Sequence, residues 1–424
     1  MMSLLTGGQR AAPCCPLASP VASAPGEPWA LTQPRSPAGL RLGLICDFAE
    51  ENWPSMDLVA DMLEVQLRVS EEVRAQRLQP PMIRRLGRLP LVGQRRAWNG
   101  DRFLGRFWDY PRLLRRQRGD FDCFHICDHS YAHLVHELPG NRTGVFCHDL
   151  DTFRCLLEPK AEPRPLWFRS MTRRILLGLQ KAAIVFCSTL VTIDRIRKLG
   201  LVDSPRLVYA PYGIAPEFTP DIDSSGKKIS GIKDPFLLHI GSCIPRKRVD
   251  ILLEAFAAVR QKRPELALVQ VGGQWTAAQQ EQIKCHDLGP IRQLRGLDRK
   301  SLAALYHRAG LVLLPSEAEG FGLPVIEALA CGAIVVASDI PVLREVGGDG
   351  AVYCPVANVS AWAETVNRLL TIPGIAPNRA ARIEQAQRFS WAKHAAIILE
   401  AYQKLASGVT YDPGSRQVEQ APGR

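Results

Sequence analysis

The sequence predicts an α/β protein of two doubly wound layers in tandem, and three observations carry that prediction. Short apolar runs of strand length recur along the chain, each followed by a stretch with helical periodicity. A polar stretch, Thr219-Pro220-Asp221-Ile222-Asp223-Ser224-Ser225-Gly226-Lys227-Lys228, breaks the alternation midway, after which it starts again. The chain has 424 residues, enough for two domains of about 150 to 180 residues each plus tails.

The first apolar run, Leu40-Arg41-Leu42-Gly43-Leu44-Ile45-Cys46, reads as a buried parallel strand. A loop from Glu50 to Pro54 follows, and Ser55 is expected to cap a helix through Met56, Val59, Met62 and Leu63. Further strands are expected at Phe121 to Cys127, Gly144 to Cys147 and Ala183 to Cys187. Beyond the polar stretch, Phe236 to Gly241, Leu266 to Val271, Leu311 to Leu314 and Ile334 to Ala337 continue the pattern. Helices fit between them at Val249 to Arg260, Arg299 to Ala309 and Leu323 to Ala330, and Ser390 caps a last helix over Trp391 to Leu405. The expected organisation is a disordered tail at 1–39, a first domain at 40–218, a linker at 219–235, a second domain at 236–390, a C-terminal helix at 391–407 and a second disordered tail at 408–424.

Hydrophobic residues make up 46% and charged residues 22% of the chain, which excludes a disordered or collagen-like protein. Lysine and arginine number 53 against 42 acids, a net charge of +11 that favours anionic partners. The twelve cysteines show no paired spacing, which points to a reducing, cytoplasmic compartment. No apolar run reaches the length of a membrane-crossing helix. Val21-Ala22-Ser23-Ala24 mimics a signal-peptidase site, but it lacks a charged start and a continuous apolar stretch, and Pro13, Pro16 and Pro20 interrupt it.

The richest stretch is Pro315-Ser316-Glu317-Ala318-Glu319-Gly320-Phe321-Gly322-Leu323-Pro324-Val325-Ile326-Glu327. It follows a strand, turns through two glycines and opens a helix near Pro324. The amides of Gly322, Leu323 and Val325 are expected to be free to meet an anion. Glu327, placed in the helix's first turn, suits a ribose diol better than a phosphate, since a carboxylate only accepts hydrogen bonds. The alternative is a plain corner in which Glu327 serves the helix dipole. A second loop, Gly241-Ser242-Cys243-Ile244-Pro245-Arg246-Lys247-Arg248, sets three cations at a strand end, where positive charge opposes the dipole unless an anion matches it.

Glu319 through Glu327 resembles the E-x7-E signature of retaining glycosyltransferases of the GT-B fold, family four. Glu327-Ala328-Leu329-Ala330-Cys331-Gly332 and Ala337-Ser338-Asp339 resemble the same family. The resemblance implies two Rossmann-like domains facing across a cleft, with a nucleotide diphosphate sugar on the second and the acceptor on the first. It assigns Glu319 to the donor sugar, Glu327 to the ribose, and the backbone of Phe321, Gly322 and Leu323 to the diphosphate. Gly241 leads the family's basic loop, in which Arg246 and Lys247 neutralise the leaving diphosphate; many members have arginine where this chain has Ser242. Leu297, in Arg295-Gly296-Leu297, resembles the segment that meets the base, and Gly272-Gly273 resembles a turn that admits the nucleotide. With cations at the diphosphate, neither a metal nor a cofactor is expected.

On the facing domain, His148 and Asp149 end an apolar strand and resemble the family's His-Asp step, which makes His148 a catalytic candidate. Asp128, His129 and Ser130, at another strand end, are candidate acceptor-facing groups, joined by Asp149 and by Trp53, which could stack on a sugar. Cys123, His125 and Cys127 alternate along one strand face, which does not let their side chains converge on a zinc ion with His129, His133 and His136. From Arg84 to Arg118, eleven arginines interleave with Trp98, Phe103, Phe107, Trp108 and Tyr110. That pattern suits a peripheral contact with the inner face of a membrane or an anionic acceptor more than a solvated face, and nucleic acid least. The implied activity is retaining transfer of a hexose-like sugar to a hydroxyl of a glycan or lipid-linked acceptor in polysaccharide or cell-envelope synthesis. The rival reading is a GT-B binding module without turnover that uses the arginine-rich face for lipid or nucleic acid.

Overall fold

Twelve parallel strands arrange into two six-stranded sheets in the computed structural model, which describes residues 39–88, 93–221 and 231–407. The first sheet runs β2-β1-β3-β4-β5-β6, from β1 (Leu40–Ile45), β2 (Val73–Leu78), β3 (Cys123–Ile126), β4 (Thr143–Cys147), β5 (Ile184–Cys187) and β6 (Leu207–Tyr209). The second runs β12-β11-β10-β7-β8-β9, from β7 (Phe236–Gly241), β8 (Ala267–Gly272), β9 (Ile291–Leu294), β10 (Leu311–Leu314), β11 (Val335–Ser338) and β12 (Val352–Cys354). Strands β3, β4, β5, β10 and β11 are buried at every position, as parallel strands covered on both faces must be. In each sheet the strand order reverses once, between β1 and β3 and between β7 and β10, and there the loops at the carboxyl ends part and leave a crevice.

Four strands absent from the sequence reading, β2, β6, β9 and β12, are the four sheet edges. β2 reads VRAQRL and β9 reads IRQL, while β6 and β12 have three residues each. An edge strand needs no continuous apolar run, so it leaves little periodic signal. The first helix differs too: it spans Pro54–Val69 with Trp53 at its N-cap and no capping side chain, so Ser55 lies inside it. Proline's fixed φ at the first position starts the helix instead. Helices Val249–Arg260 and Leu323–Ala330 have the expected bounds, and Arg299–Arg308 and Trp391–Ala406 differ by one residue. The tail expected at 1–39, apart from Gly39, most of the linker and the tail at 408–424 lie outside the described residues.

Two features join the halves. The Trp391–Ala406 helix returns to the first sheet, where it packs on the Pro54–Val69 helix with Tyr402 fully buried. The Tyr402 hydroxyl donates to the Phe124 carbonyl at 2.9 Å and lies 3.0 Å from His125 Nδ1. In the second feature, Glu345 of the Pro341–Gly347 helix reaches the N-terminus of Leu190–Lys198. Its carboxylate accepts from the Leu190 amide at 2.7 Å and the Val191 amide at 3.1 Å, taking two amides that a helix start leaves unpaired. Glu345→Ala is therefore expected to lower unfolding free energy by about 1–3 kcal/mol, measured by urea denaturation; an unchanged midpoint would mean that water serves those amides equally well.

Candidate active site

The crevice of the second sheet collects the richest motif and the basic loop because the loops after β7 and β10 leave from neighbouring strands. Gly322 takes φ +97° at the N-cap of Leu323–Ala330, a left-handed conformation that suits glycine. The amides of Gly322 and Leu323 donate to no described residue, whereas that of Val325 donates to the Gly322 carbonyl at 2.8 Å and is not free as the sequence reading expects. Gly320 permits a close approach between the halves, since a Cβ there would lie 3.0 Å from the His148 carbonyl oxygen and 3.5 Å from Asp149 Oδ2.

Glu319 is almost wholly buried and held by cations. Lys247 Nζ lies 2.5 Å from its Oε1, which also accepts from Ser316 Oγ at 2.7 Å. Arg246 Nη1 stands 3.8 Å from Oε2 and donates to the Ala318 carbonyl at 3.2 Å, while its Nε faces Asp151 of the other half at 3.7 Å. Arg246 thus spans the cleft between two acids. Arg248 turns away to Asp250 and Glu317, and Asp250, in the first turn of the next helix, offsets the charge that the dipole opposes. Gly273 and Gln270 donate to the Gly241 carbonyl at 3.2 and 2.9 Å, so the paired glycines after β8 fit against the basic loop. Ser242 is exposed, Leu297 is half-buried, and Phe321 inserts its ring between Tyr212 and Phe389.

Glu327 is the fifth residue of its helix rather than a first-turn acid, so the helix-dipole reading does not explain it. The Tyr306 hydroxyl donates to Glu327 Oε2 at 2.9 Å. Burial pushes its carboxyl up to about 7 against the opposing pull of that hydrogen bond and of Arg299.

The facing half is a buried polar network. His148 is buried, with its Nε2 donating to the Cys127 carbonyl at 2.8 Å and its Nδ1 taking the Tyr212 hydroxyl. Burial lowers its pKa to about 4 despite the nearby Asp128. The ring that the sequence reading makes a catalytic candidate is neutral and has both nitrogens hydrogen-bonded in this structure, and the residue lies near Gly320 of the second domain through its carbonyl oxygen. Asp128 caps the turn that follows β3, accepting from the Ser130 amide at 2.7 Å and Ser130 Oγ at 2.9 Å. Burial would raise Asp128, but the His129 ring, the Ser130 amide and a hydrogen bond from Asp47 together outweigh it and hold the carboxyl well below the usual range. Burial and the adjacent Asp128 raise Asp47, so one proton is kept between the pair. His129 Nδ1 lies 3.4 Å from the His148 amide and Nε2 lies 3.0 Å from the Thr152 hydroxyl. Ligand atoms of Asp128, His129 and His148 fall within 4.8 Å of one another, yet the partners just named already engage these side chains.

Between the halves lies a small open cavity of about 70 Å³, lined by Asp149, Asp151, Thr192 and Arg195 on one side and Arg246 and Glu319 on the other. Of the acceptor-facing candidates only Asp149 lines it. Trp53 is half-exposed and tied to Glu51 Oε2 at 3.1 Å, and Asp128, His129 and Ser130 lie in the packed network. Asp151 and Arg195 are absent from the sequence reading. Asp151 sits two residues past the His-Asp step, whereas Arg195 reads as an ordinary helix-surface cation.

The arginine-rich segment is not a uniform outer face. Arg102 donates to Glu51 at 2.9 and 3.0 Å, and Arg106 turns inward onto the Ser130 carbonyl at 2.5 Å with its guanidinium 4.0 Å from the Tyr131 ring centre. Arg95, Arg96, Arg112, Arg116 and Arg118 stay exposed, as do Phe103 and Trp108, and the Arg112 guanidinium lies 3.6 Å from the Trp108 ring centre. Among the described residues no helix is long and apolar enough to cross a membrane.

Residues 223–390 match the family described as glycosyl transferases group 1. The serotype-specific mannosyltransferase WbdA of Escherichia coli is 26% identical over 304 residues, 65% of this chain and 36% of that protein. A D-inositol 3-phosphate glycosyltransferase of Stackebrandtia nassauensis is 30% identical over 236 residues, 51% of this chain and 53% of its own. The chain thus spans 36% and 53% of the length of these two relatives. Sucrose-phosphate synthase from Thermosynechococcus elongatus superposes with a TM-score of 0.68 at 19% identity, over 87% of this chain and 100% of that one. This likeness concerns the fold, and the fold is GT-B: two parallel-sheet, Rossmann-like domains facing across a cleft. Residues 223–390 thus resemble the group 1 glycosyl transferases in sequence, within a chain whose fold is GT-B.

Proposed function

We propose that the chain transfers a hexose-like sugar, with retention, from a nucleotide diphosphate sugar to a hydroxyl of a glycan or lipid-linked acceptor. The observation that carries this reading is the buried Glu319 carboxylate held by Lys247 and Arg246 where the strand order reverses, directly across from Asp149 and Asp151. The relatives named as mannosyltransferase and inositol-phosphate glycosyltransferase support it.

On this reading the donor diphosphate takes Lys247 and Arg246 as its counter-ions, joined by the free amides of Gly322 and Leu323, with Gly241 giving it room. Glu319, released from those cations, accepts from hydroxyls of the donor sugar; Glu327 accepts from the ribose, and the backbone at Leu297 meets the base. The acceptor oxygen bonds to the anomeric carbon as the bond from that carbon to the phosphate oxygen breaks. The departing phosphate takes the acceptor's proton, and Arg246 and Lys247 stabilise the charge that develops on it. His148, locked as a neutral ring, acts as a positioning residue beneath Asp149. No metal or cofactor enters this scheme. The exposed arginines with Phe103 and Trp108 support a place in the cytoplasm against an anionic inner membrane face, and a role in polysaccharide or cell-envelope synthesis accords with it.

Thermal unfolding with UDP, GDP and ADP tests the reading, followed by the matching sugar donors without metal. One nucleotide is expected to raise the midpoint, and Glu327→Ala to abolish the shift; donor affinity equal to wild type in that variant sinks the assignment. No shift with any nucleotide would favour a GT-B module without turnover.

The raised carboxyl makes a second prediction. Because folding favours protonated Glu327, its contribution to stability is complete below the ordinary glutamate range and is lost as pH rises through about 7. Glu327→Gln removes that titration while keeping an oxygen for Tyr306. Relative to wild type it is expected to gain about 2 kcal/mol between pH 5 and pH 8, read by urea unfolding at each pH; a gain independent of pH would mean that Glu327 titrates normally.

A further inference from the structure

The interdomain cavity has a charge pattern that selects among acceptors, and this inference rests on the transfer reading above. Its wall on the first domain carries Asp149 and Asp151. Asp149 Oδ1 accepts from the Asp151 amide at 3.0 Å, which fixes the two acids together. Arg195, the cation on the same wall, pairs with Glu158 at 3.1 Å. Arg246 is the other cation lining the cavity, 3.7 Å from Asp151, and it is the group that the donor diphosphate draws away. With the donor in place, the acceptor therefore meets two carboxylates whose nearest cation is engaged elsewhere. Carboxylates accept hydrogen bonds and repel anions.

We propose that the acceptor seated in this cavity is an uncharged sugar or polyol ring whose hydroxyls donate to Asp149 and Asp151, and that Asp151 excludes phosphorylated acceptors. The chain would thereby part company with relatives named for inositol phosphate and side with those named for mannosyl transfer.

The test uses the full chain and the nucleotide sugar that stabilises it most. Release of nucleoside diphosphate is followed with matched probes: methyl α-mannoside and methyl α-glucoside with their 6-phosphates, and myo-inositol with D-myo-inositol 3-phosphate. Wild type is expected to show a kcat/KM at least tenfold higher for a neutral member than for its phosphorylated partner. Asp151→Lys is expected to lower that ratio at least tenfold, a readout insensitive to the fraction of folded enzyme because both probes meet the same preparation. A ratio near or below one in wild type overturns the proposal, as does a ratio unchanged in Asp151→Lys. Failure of every neutral probe to raise release above the acceptor-free rate also overturns it. If nucleotide binding and slow acceptor-free release persist while selectivity fails, the transferase reading stands and only the acceptor assignment falls; if neither is seen, the transferase reading itself fails.

Discussion

Everything in the cleft depends on one topological constraint: β7 and β10 are neighbours whose crossovers leave in opposite directions. The crevice between their ends forces the loop with Arg246 and Lys247 against the loop with Glu319. Charge then decides the local structure. A buried carboxylate with two nearby cations is tolerable, whereas removing one side would strand the other in a poorly solvated place. Arg246 extends the arrangement across the cleft to Asp151, so the same guanidinium that satisfies the second domain also faces the first. On the proposed reading, an incoming diphosphate replaces one set of anions with another and the site never lacks a counter-ion.

The first domain solves a different problem. Its strand ends carry Asp47, Asp128, His129 and His148, all buried, and each needs a partner. Asp128 is satisfied by the amide and hydroxyl of Ser130, His148 by Tyr212 and a carbonyl, and Glu51 by Arg102. The outcome is a firm floor beneath Asp149 and Asp151.

Much of the fold was legible because buried parallel strands are continuous apolar runs, and β1, β3, β4, β5, β7, β8, β10 and β11 all have one. The edges were not, since Arg74, Gln76 and Arg77 in β2 face a boundary where polar residues cost little. In the candidate site, the stretch from Pro315 to Glu327 stood out because glycine, proline and glutamate are closely spaced there. Local sequence could not reveal that Val325 spends its amide on Gly322, or that both nitrogens of His148 are taken by residues 64 and 21 positions away. Nor could it show Arg102 and Arg106 facing inward, because an arginine's direction is set by where an acid such as Glu51 lies in space.

The return of the Trp391–Ala406 helix to the first sheet bears on how the protein is made. The Phe124 carbonyl that meets the Tyr402 hydroxyl lies 278 positions earlier in the chain. A ribosome releases the strands of the first sheet well before the helix that covers part of one face. Until then, the small cleft left above Gly144 and the side of His125 lack the tyrosine that fills and pairs them. The second half, whose six strands are contiguous in sequence, can close on itself as it emerges. The first half is thus synthesised early and finished late.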